Sequence, residues 1–332
     1  MFTVESYSLA VVFTFITMLC WGSWANTQKL LSSKWRFELF YWDYVIGIFL
    51  FSLLIAFTMG SNGDKGRPFV EDLQQASSAN LISAFTGGAI FNLANILLTA
   101  AIAIAGMSVA FPVGIGIALV LGTVVNYVLY EKGNPVLLFG GVFLVAIAII
   151  CNAIAYRKKS GQLKTSGNAG ILLSLVAGIL MSFFYRFVAG AMDLENFEAP
   201  EPLKMTPYSA VVVFSAGIVI SNIFFNSILM KKPINGPPVT YTQYFSGAFR
   251  YHLVGILGGS IWALGNVFNL IAAGKAGPAI SYGLGQGATL VAAIWGVLIW
   301  KEFKNVAATS GLLTAMFIFF IAGIGMIIYS GA

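Results

Sequence analysis

Apolar runs of about twenty residues, separated by short polar breaks, follow one another along the whole chain. A helix needs about 20 apolar residues to cross the hydrocarbon of a bilayer. The runs predict ten such helices, over 7-28, 39-60, 80-103, 107-130, 134-156, 168-190, 208-230, 250-273, 277-300 and 306-330. Clear breaks lie at Ser61-Asn62-Gly63, Gly133-Asn134-Pro135, Arg157-Lys158-Lys159-Ser160-Gly161 and Lys231-Lys232-Pro233. The first run has no basic start and no small-residue cleavage site, and it is longer than the apolar core of a signal peptide, so it reads as a retained span. No polar stretch is long enough for a separate soluble domain. The expected fold is an all-α integral membrane protein.

The pattern also repeats. Gly87 to Asn95 reads GGAIFNLAN, and Gly258 to Asn266 reads GGSIWALGN. With an offset of 171, thirteen of the 45 positions from Gly87 to Glu131 are identical without a gap, including Gly88/Gly259, Asn95/Asn266, Gly106/Gly277, Gly114/Gly285, Gly116/Gly287 and Glu131/Glu302. Glycine-rich composition inflates such a count, but it does not explain the paired Asn and Glu. The offset spans five helices, an odd number, so the second copy enters the membrane from the opposite side. This predicts two inverted five-helix repeats, 1-156 and 168-332, joined by a cytoplasmic linker at 157-167, an arrangement suited to alternating access.

Composition narrows the function. Hydrophobic residues make up 58% of the 332 and charged residues only 9%, against about 25% in soluble domains, which excludes a soluble enzyme. The net charge of +6 is small for this length and gives no sign of a nucleic-acid partner. Cys20 and Cys151 lie far apart in apolar runs and, with His252 as the only histidine, leave no metal-ligand spacing. No Ser/His/Asp arrangement is readable. The basic residues set an orientation. Lys29, Lys34, Arg36, Arg157, Lys158, Lys159, Lys164, Lys231, Lys232, Arg250, Lys301 and Lys304 fall on one side, and Lys65, Arg67, Lys132, Lys204 and Lys275 on the other. The richer side is expected inside, which places both termini outside a plasma membrane, of the bacterial inner-membrane type.

Few polar residues interrupt the spans. Asn92, Asn95, Asn266, Asn269 and Gln286 would each cost a few kcal/mol if left unpaired in hydrocarbon. They serve either as glue between helices or as contacts to a neutral solute rich in N–H and C=O groups. Trp21-Gly22-Ser23-Trp24, with Asn26 behind it, and Trp262 are either interfacial anchors or aromatic faces turned to a cavity. Gly283-Leu284-Gly285-Gln286-Gly287 follows no strand and lacks a phosphate-binding lysine. It marks close helix packing, a kinked helix that brings backbone near a solute, or both. Tyr282 completes the expected lining. Among charges, Asp43 opens the second span where the helix dipole favours a carboxylate, Arg186 can snorkel, and Glu131 and Glu302 close the fourth and ninth spans.

These residues resemble a known family. Val4-Glu5-Ser6, Trp21-Gly22-Ser23-Trp24 and Tyr41-Trp42-Asp43-Tyr44, then Gly265-Asn266, Gly274-Lys275-Ala276-Gly277, Gln286, and Trp295-Gly296-Val297-Leu298 before Lys301-Glu302-Phe303, are similar in order to the plant ureide permeases. That family belongs to the drug/metabolite transporter superfamily and is related to bacterial rhamnose and glucose uptake permeases. The resemblance implies uptake of a small, neutral, nitrogen-rich solute such as allantoin or a nucleobase. It places Trp24, Asp43, Asn266 and Gln286 on family-like positions.

The expected function is therefore a permease with no cofactor beyond a coupling H+ or Na+, and with a small molecule and the bilayer as partners. Substrate contact is expected from Trp21, Trp24, Asn26, Asn92, Asn95, Trp262, Asn266, Tyr282 and Gln286. The coupling candidates are Asp43, Glu131, Glu302 and Arg186. A monosaccharide permease is the alternative. An intramembrane enzyme would need an acid/base or metal constellation that the sequence lacks, and a receptor would not need the repeat. The charge bias predicts that a cysteine placed between Arg157 and Lys164 reacts with an impermeant maleimide only after cells are opened. Labelling in intact cells would reverse the orientation.

Overall fold

The computed structural model of the protein describes all residues except 32–33, 106, 161–167, 235, 305 and 307–308, and leaves out the side chains at 103, 107–109, 111–112 and 160. Gly106 of the repeat, and Gly161 and Lys164 of the linker, lie outside the described residues. Among the described residues, ten helices are long and apolar enough to cross a membrane: α1 Tyr7–Leu31, α2 Phe37–Phe57, α3 Ser78–Ala105, α4 Met107–Tyr130, α5 Pro135–Ser160, α6 Asn168–Ala191, α7 Pro207–Lys231, α8 Phe249–Ala276, α9 Pro278–Ile299 and α10 Ser310–Tyr329. Each lies within a few residues of a run read from the sequence. Two short helices, Phe69–Gln75 and Tyr241–Phe245, fill the links α2–α3 and α7–α8.

Local chemistry sets the helix ends. The Ser6 hydroxyl accepts from the backbone N–H of Leu9 and so caps α1, satisfying a donor the helix cannot use itself. Pro207 and Pro278 stand in the first turns of α7 and α9, where a missing N–H costs nothing. Outward-facing positions such as Leu54, Val128, Phe143, Phe224 and Ile321 are exposed apolar side chains. In water that surface would aggregate, whereas in hydrocarbon it is the solvated face.

Two spans are interrupted. α1 breaks at Trp24 into Tyr7–Ser23 and Ala25–Leu31. α9 breaks at Gln286-Gly287 and ends in a π-helical turn, Trp295–Ile299. The glycine run in α9 is thus a break in the helix as well as a packing surface. Its counterpart in α4, Pro112 to Gly116, stays helical.

Helix packing across the molecule is reciprocal. A Cβ added at Gly88 of α3 would lie 2.0 Å from the Phe214 carbonyl oxygen of α7, and one added at Gly259 of α8 would lie 2.0 Å from that of Tyr44 in α2. Gly47 of α2 meets Ile256 of α8, and Gly217 of α7 meets Phe85 of α3, each at 2.2 Å. The two sets are the same contact at offsets of 170 and 171 (217 − 47, 214 − 44; 259 − 88, 256 − 85). Each five-helix segment lays its second helix against the third helix of the other.

The two ends of the bundle are tied differently. At the end bearing the termini, the Met1 amino group donates to the carbonyls of Gly63 and Lys65. Arg67 pairs with fully buried Asp72 at 2.9 Å and donates to the carbonyls of Pro200, Glu201 and Lys204. Asp72 also accepts from the Thr206 N–H at 2.8 Å. At the other end, Lys29 reaches Glu302 at 2.5 Å, and Arg36 pairs with Glu38 while donating to the Pro237 carbonyl.

The close approaches predict that Gly88→Ala and Gly259→Ala each destabilise the protein by about 1–3 kcal/mol through overpacking, read as a lower melting temperature in detergent. Gly325→Ala, with open space around it, leaves that temperature unchanged or raises it.

Candidate functional site

α1, α2, α3, α4, α6, α8 and α9 surround a cavity of about 400 Å³. Its walls are Trp21, Trp24, Phe37, Phe91, Phe184 and Trp262, with aliphatic positions including Leu98, Ile102 and Ile115. Its polar groups are Gln28, Asn95, Thr99, Gln286 and Thr289, and none of the lining residues is charged. Both helix breaks border it, through Trp24 and Ala25 in α1 and Gly285, Gln286 and Ala288 in α9. Irregular backbone at membrane depth is tolerable only where protein or a cavity surrounds it.

The aromatic walls hold one another in place. Trp21 stacks on Trp262 with centroids 5.7 Å apart and planes 12° apart, and its Nε1 donates to the Trp262 carbonyl at 3.2 Å. Phe91 leans on Trp262 at 4.6 Å, and Trp24 on Tyr44 at 4.5 Å. Gly285 makes room for the stack, since a Cβ there would lie 2.8 Å from the Trp21 ring. Such contacts contribute about 0.5–1.5 kcal/mol each beyond area burial, enough to keep the flat faces presented when the cavity is empty.

Of the nine residues expected to contact substrate, Trp21, Trp24, Asn95, Trp262 and Gln286 line this cavity. Asn26 lines a neighbouring cavity of about 370 Å³, where its Oδ1 accepts from Trp300 Nε1 at 2.6 Å. Asn92 is buried behind Asn95 in the link to α2 and α7. Asn266 is 1% exposed and lies away from the cavity lining, with no partner for its Oδ1 among the described residues. Tyr282 is fully buried as a strut, its hydroxyl 3.0 Å from the Ala118 carbonyl and 3.2 Å from that of Met181. Asn269 joins α8 to α9 through the Ser281 carbonyl at 2.8 Å. Phe91, Phe184, Gln28, Thr99 and Thr289 were not foreseen. Hydrophobic period alone cannot tell a cavity wall from a packed core position.

The coupling candidates separate widely. Asp43, 1% exposed, accepts from Tyr244 Oη at 2.6 Å, from Trp35 Nε1 at 3.3 Å, and bonds His252 Nδ1 at 2.8 Å. The short helix Tyr241–Phe245, absent from the sequence reading, supplies Tyr244. Burial first, and then the carboxylate of Asp43, push the Tyr244 phenol well above its ordinary range. Glu131 is exposed at the end of α4, with a positive φ of 39°. Arg186 is exposed on α6 beside Phe187. Glu302 receives Lys29, Lys159 and the Tyr156 hydroxyl at the rim of the second cavity. Burial alone would raise its carboxyl, but the hydrogen bonds from Lys29 and Tyr156, with the Lys29 and Lys159 charges, outweigh it and hold the group below the usual range.

Comparison with known proteins fits this architecture. The family model described as ureide permease matches residues 40–166 and 157–330. Ureide permease 1 of Arabidopsis thaliana is 23% identical over 99% of both chains. A putative sugar uptake protein of Streptococcus pyogenes is 24% identical over 66% of this chain and 69% of its own. A solved crystal structure shares the fold at a TM-score of 0.58, covering 96% of each chain at 13% identity.

The Glu302 cluster predicts a pH dependence. A carboxyl held below its ordinary value, near 4.5, contributes stability above that value and loses it as pH falls through the folded value. Glu302→Gln should lower the melting temperature at pH 7 and shrink the difference from wild type as pH approaches 4. An equal difference at both pH values would show that the charge contributes nothing.

Proposed function

Because the chain belongs to the ureide permease family, and is accordingly a membrane transporter and not an enzyme, we propose that its central cavity carries a small, neutral, nitrogen-rich solute such as allantoin or a nucleobase. The observation that carries this reading is the lining: flat indole faces and side-chain amides, with no charge among the described lining residues. An ion would enter such a space at the cost of its hydration. A neutral heterocycle can stack on Trp faces and exchange hydrogen bonds with Asn95, Gln28 and Gln286. A hexose would also use a Trp face and amides, and the streptococcal relatives favour it as the second reading.

Alternating access between two inverted halves is the proposed mechanism, supported by the reciprocal contacts of α2 with α8 and α7 with α3. The cavity extends toward Gln28, Phe37, Ile102 and Ala292, the end away from the termini, while Arg67 and Asp72 bind the loops at the other end. This supports a state open toward the basic, cytoplasmic side. For coupling, the proposal is a proton on the buried cluster of Asp43 with His252 from α8 and Tyr244 from the short helix. The charged groups nearest in the chain are the Arg36–Glu38 pair and Arg250. Both helices that carry the cluster, α2 and α8, also border the cavity. No prosthetic group is required.

Purified protein tested by thermal shift against allantoin, uracil, purines and hexoses is expected to respond to a ureide or nucleobase. A response to hexoses alone would transfer the assignment to sugar. Gln286→Ala should weaken the responding solute by roughly 0.5–1.5 kcal/mol, and unchanged affinity would remove the residue from the site. Asp43→Asn should retain binding and abolish proton-driven accumulation in vesicles. Accumulation with its normal pH dependence in that variant would make Asp43 structural.

A further inference from the structure

We infer that Tyr41, a residue outside the cavity, fixes which end of the Asn95 amide faces the solute, and that it thereby selects solutes offering an N–H at that point. The inference rests on reading the cavity as the solute site.

An asparagine side chain can present an acceptor or a donor, and the surrounding network decides which. Here the network ends on a backbone carbonyl, which can only accept. Asn92 lies fully buried in α3. Its Nδ2 donates to the Ile218 carbonyl of α7 at 3.3 Å and to Ser221 Oγ at 2.9 Å. Ser221 in turn donates to the same Ile218 carbonyl at 3.1 Å, so its oxygen is left to accept. The Nδ2 end of Asn92 is therefore pinned toward α7, and its Oδ1 must accept. The donor to it is Tyr41 Oη at 2.9 Å, which spends the only proton of the phenol. The Tyr41 oxygen can then only accept from its other neighbour, which is Asn95 Nδ2 at 3.0 Å.

Each step leaves one choice for the next, so Asn95 points its nitrogen away from the cavity centre and keeps Oδ1 for the solute. That oxygen has no partner among the described residues, and Asn95 is the half-buried member of the chain that lines the cavity. Tyr41 and Asn92, both fully buried, touch no solute and act as positioning residues.

The second half carries no equivalent. At the corresponding offsets, Tyr41 becomes Val211 and Asn92 becomes Ala263 (41 + 170, 92 + 171), and Asn266 is buried away from the cavity. The two halves share packing, and only the first was given a directed acceptor. A directed acceptor discriminates by stranding: a solute that puts a methyl or a carbonyl against Oδ1 leaves a desolvated oxygen unpaired.

The test has two arms. Without solute, Tyr41→Phe and Asn95→Ala are combined in a double-mutant cycle read by melting temperature. Once the phenol is gone, removing the amide should cost clearly less than in wild type, and additive losses would overturn the relay. With solute, binding of uracil is compared with that of 1,3-dimethyluracil. Wild type should prefer the N–H form by about tenfold or more, the factor one hydrogen bond commands. Tyr41→Phe should cut that preference to about threefold or less, because the freed amide can turn its NH2 into the cavity. Asn92→Leu should do the same by releasing the Tyr41 proton toward Asn95, which covers the case in which Tyr41→Phe does not fold. An undiminished preference in the folded variants would overturn the inference. If wild type binds neither uracil nor allantoin, the proposed function falls, and the solute-free cycle still decides whether the relay exists.

Discussion

Hydrocarbon forms no hydrogen bonds, so a polar group that this protein keeps at membrane depth costs free energy unless it finds a partner inside the chain. The rest of the structure follows from that constraint. Helices can be broken at Trp24 and at Gln286-Gly287 because both breaks border a cavity. Asn92 and Asn269 can sit between helices because carbonyls of α7 and α9 accept from them. Asp43 can be buried because Tyr244, Trp35 and His252 close around it. Asn95 and Gln286 keep free amide ends toward the cavity, while Asn222 and Asn266, buried away from it, hold amide atoms with no partner among the described residues.

The same constraint shapes the packing. In lipid, helices gain little by hiding apolar surface from their solvent, and association depends on close backbone approach and interhelical hydrogen bonds. The four glycine contacts joining α2 to α8 and α7 to α3 bring backbones together across the two segments. Those four helices carry the cavity's Phe37, Phe91, Asn95 and Trp262, and they also carry Tyr41, Asn92, Ser221 and Asp43. Recognition and any relative movement of the segments therefore share one interface. A solute that engages Asn95 on α3 and Trp262 on α8 touches both sides of it.

Much of this was legible in the sequence, and what escaped it did so for definable reasons. A twenty-residue apolar run has one low-energy form in a bilayer, so all ten spans could be read to within a few residues. Trp21, Trp24, Asn95, Trp262 and Gln286 were named as lining because each is costly or unusual at its depth. The same argument named Asn266 and Tyr282, which the structure buries in helix contacts. Cost tells that a group needs a partner, without telling whether the partner is protein or solute. The short helix bearing Tyr244 and the pairing of His252 with Asp43 lie 201 and 209 residues from Asp43 in sequence, and no local pattern encodes such a contact. Phe91 and Phe184 looked like any packed aromatic.

The most direct test of the central claim is a structure of the protein with the solute identified by its thermal response. The account predicts density in the central cavity against Trp21 and Trp24, with a solute N–H directed at Asn95 Oδ1 and a polar edge toward Gln286. Density confined to the second cavity beside Asn152 and Trp300, with Asn95 and Gln286 untouched, would contradict it.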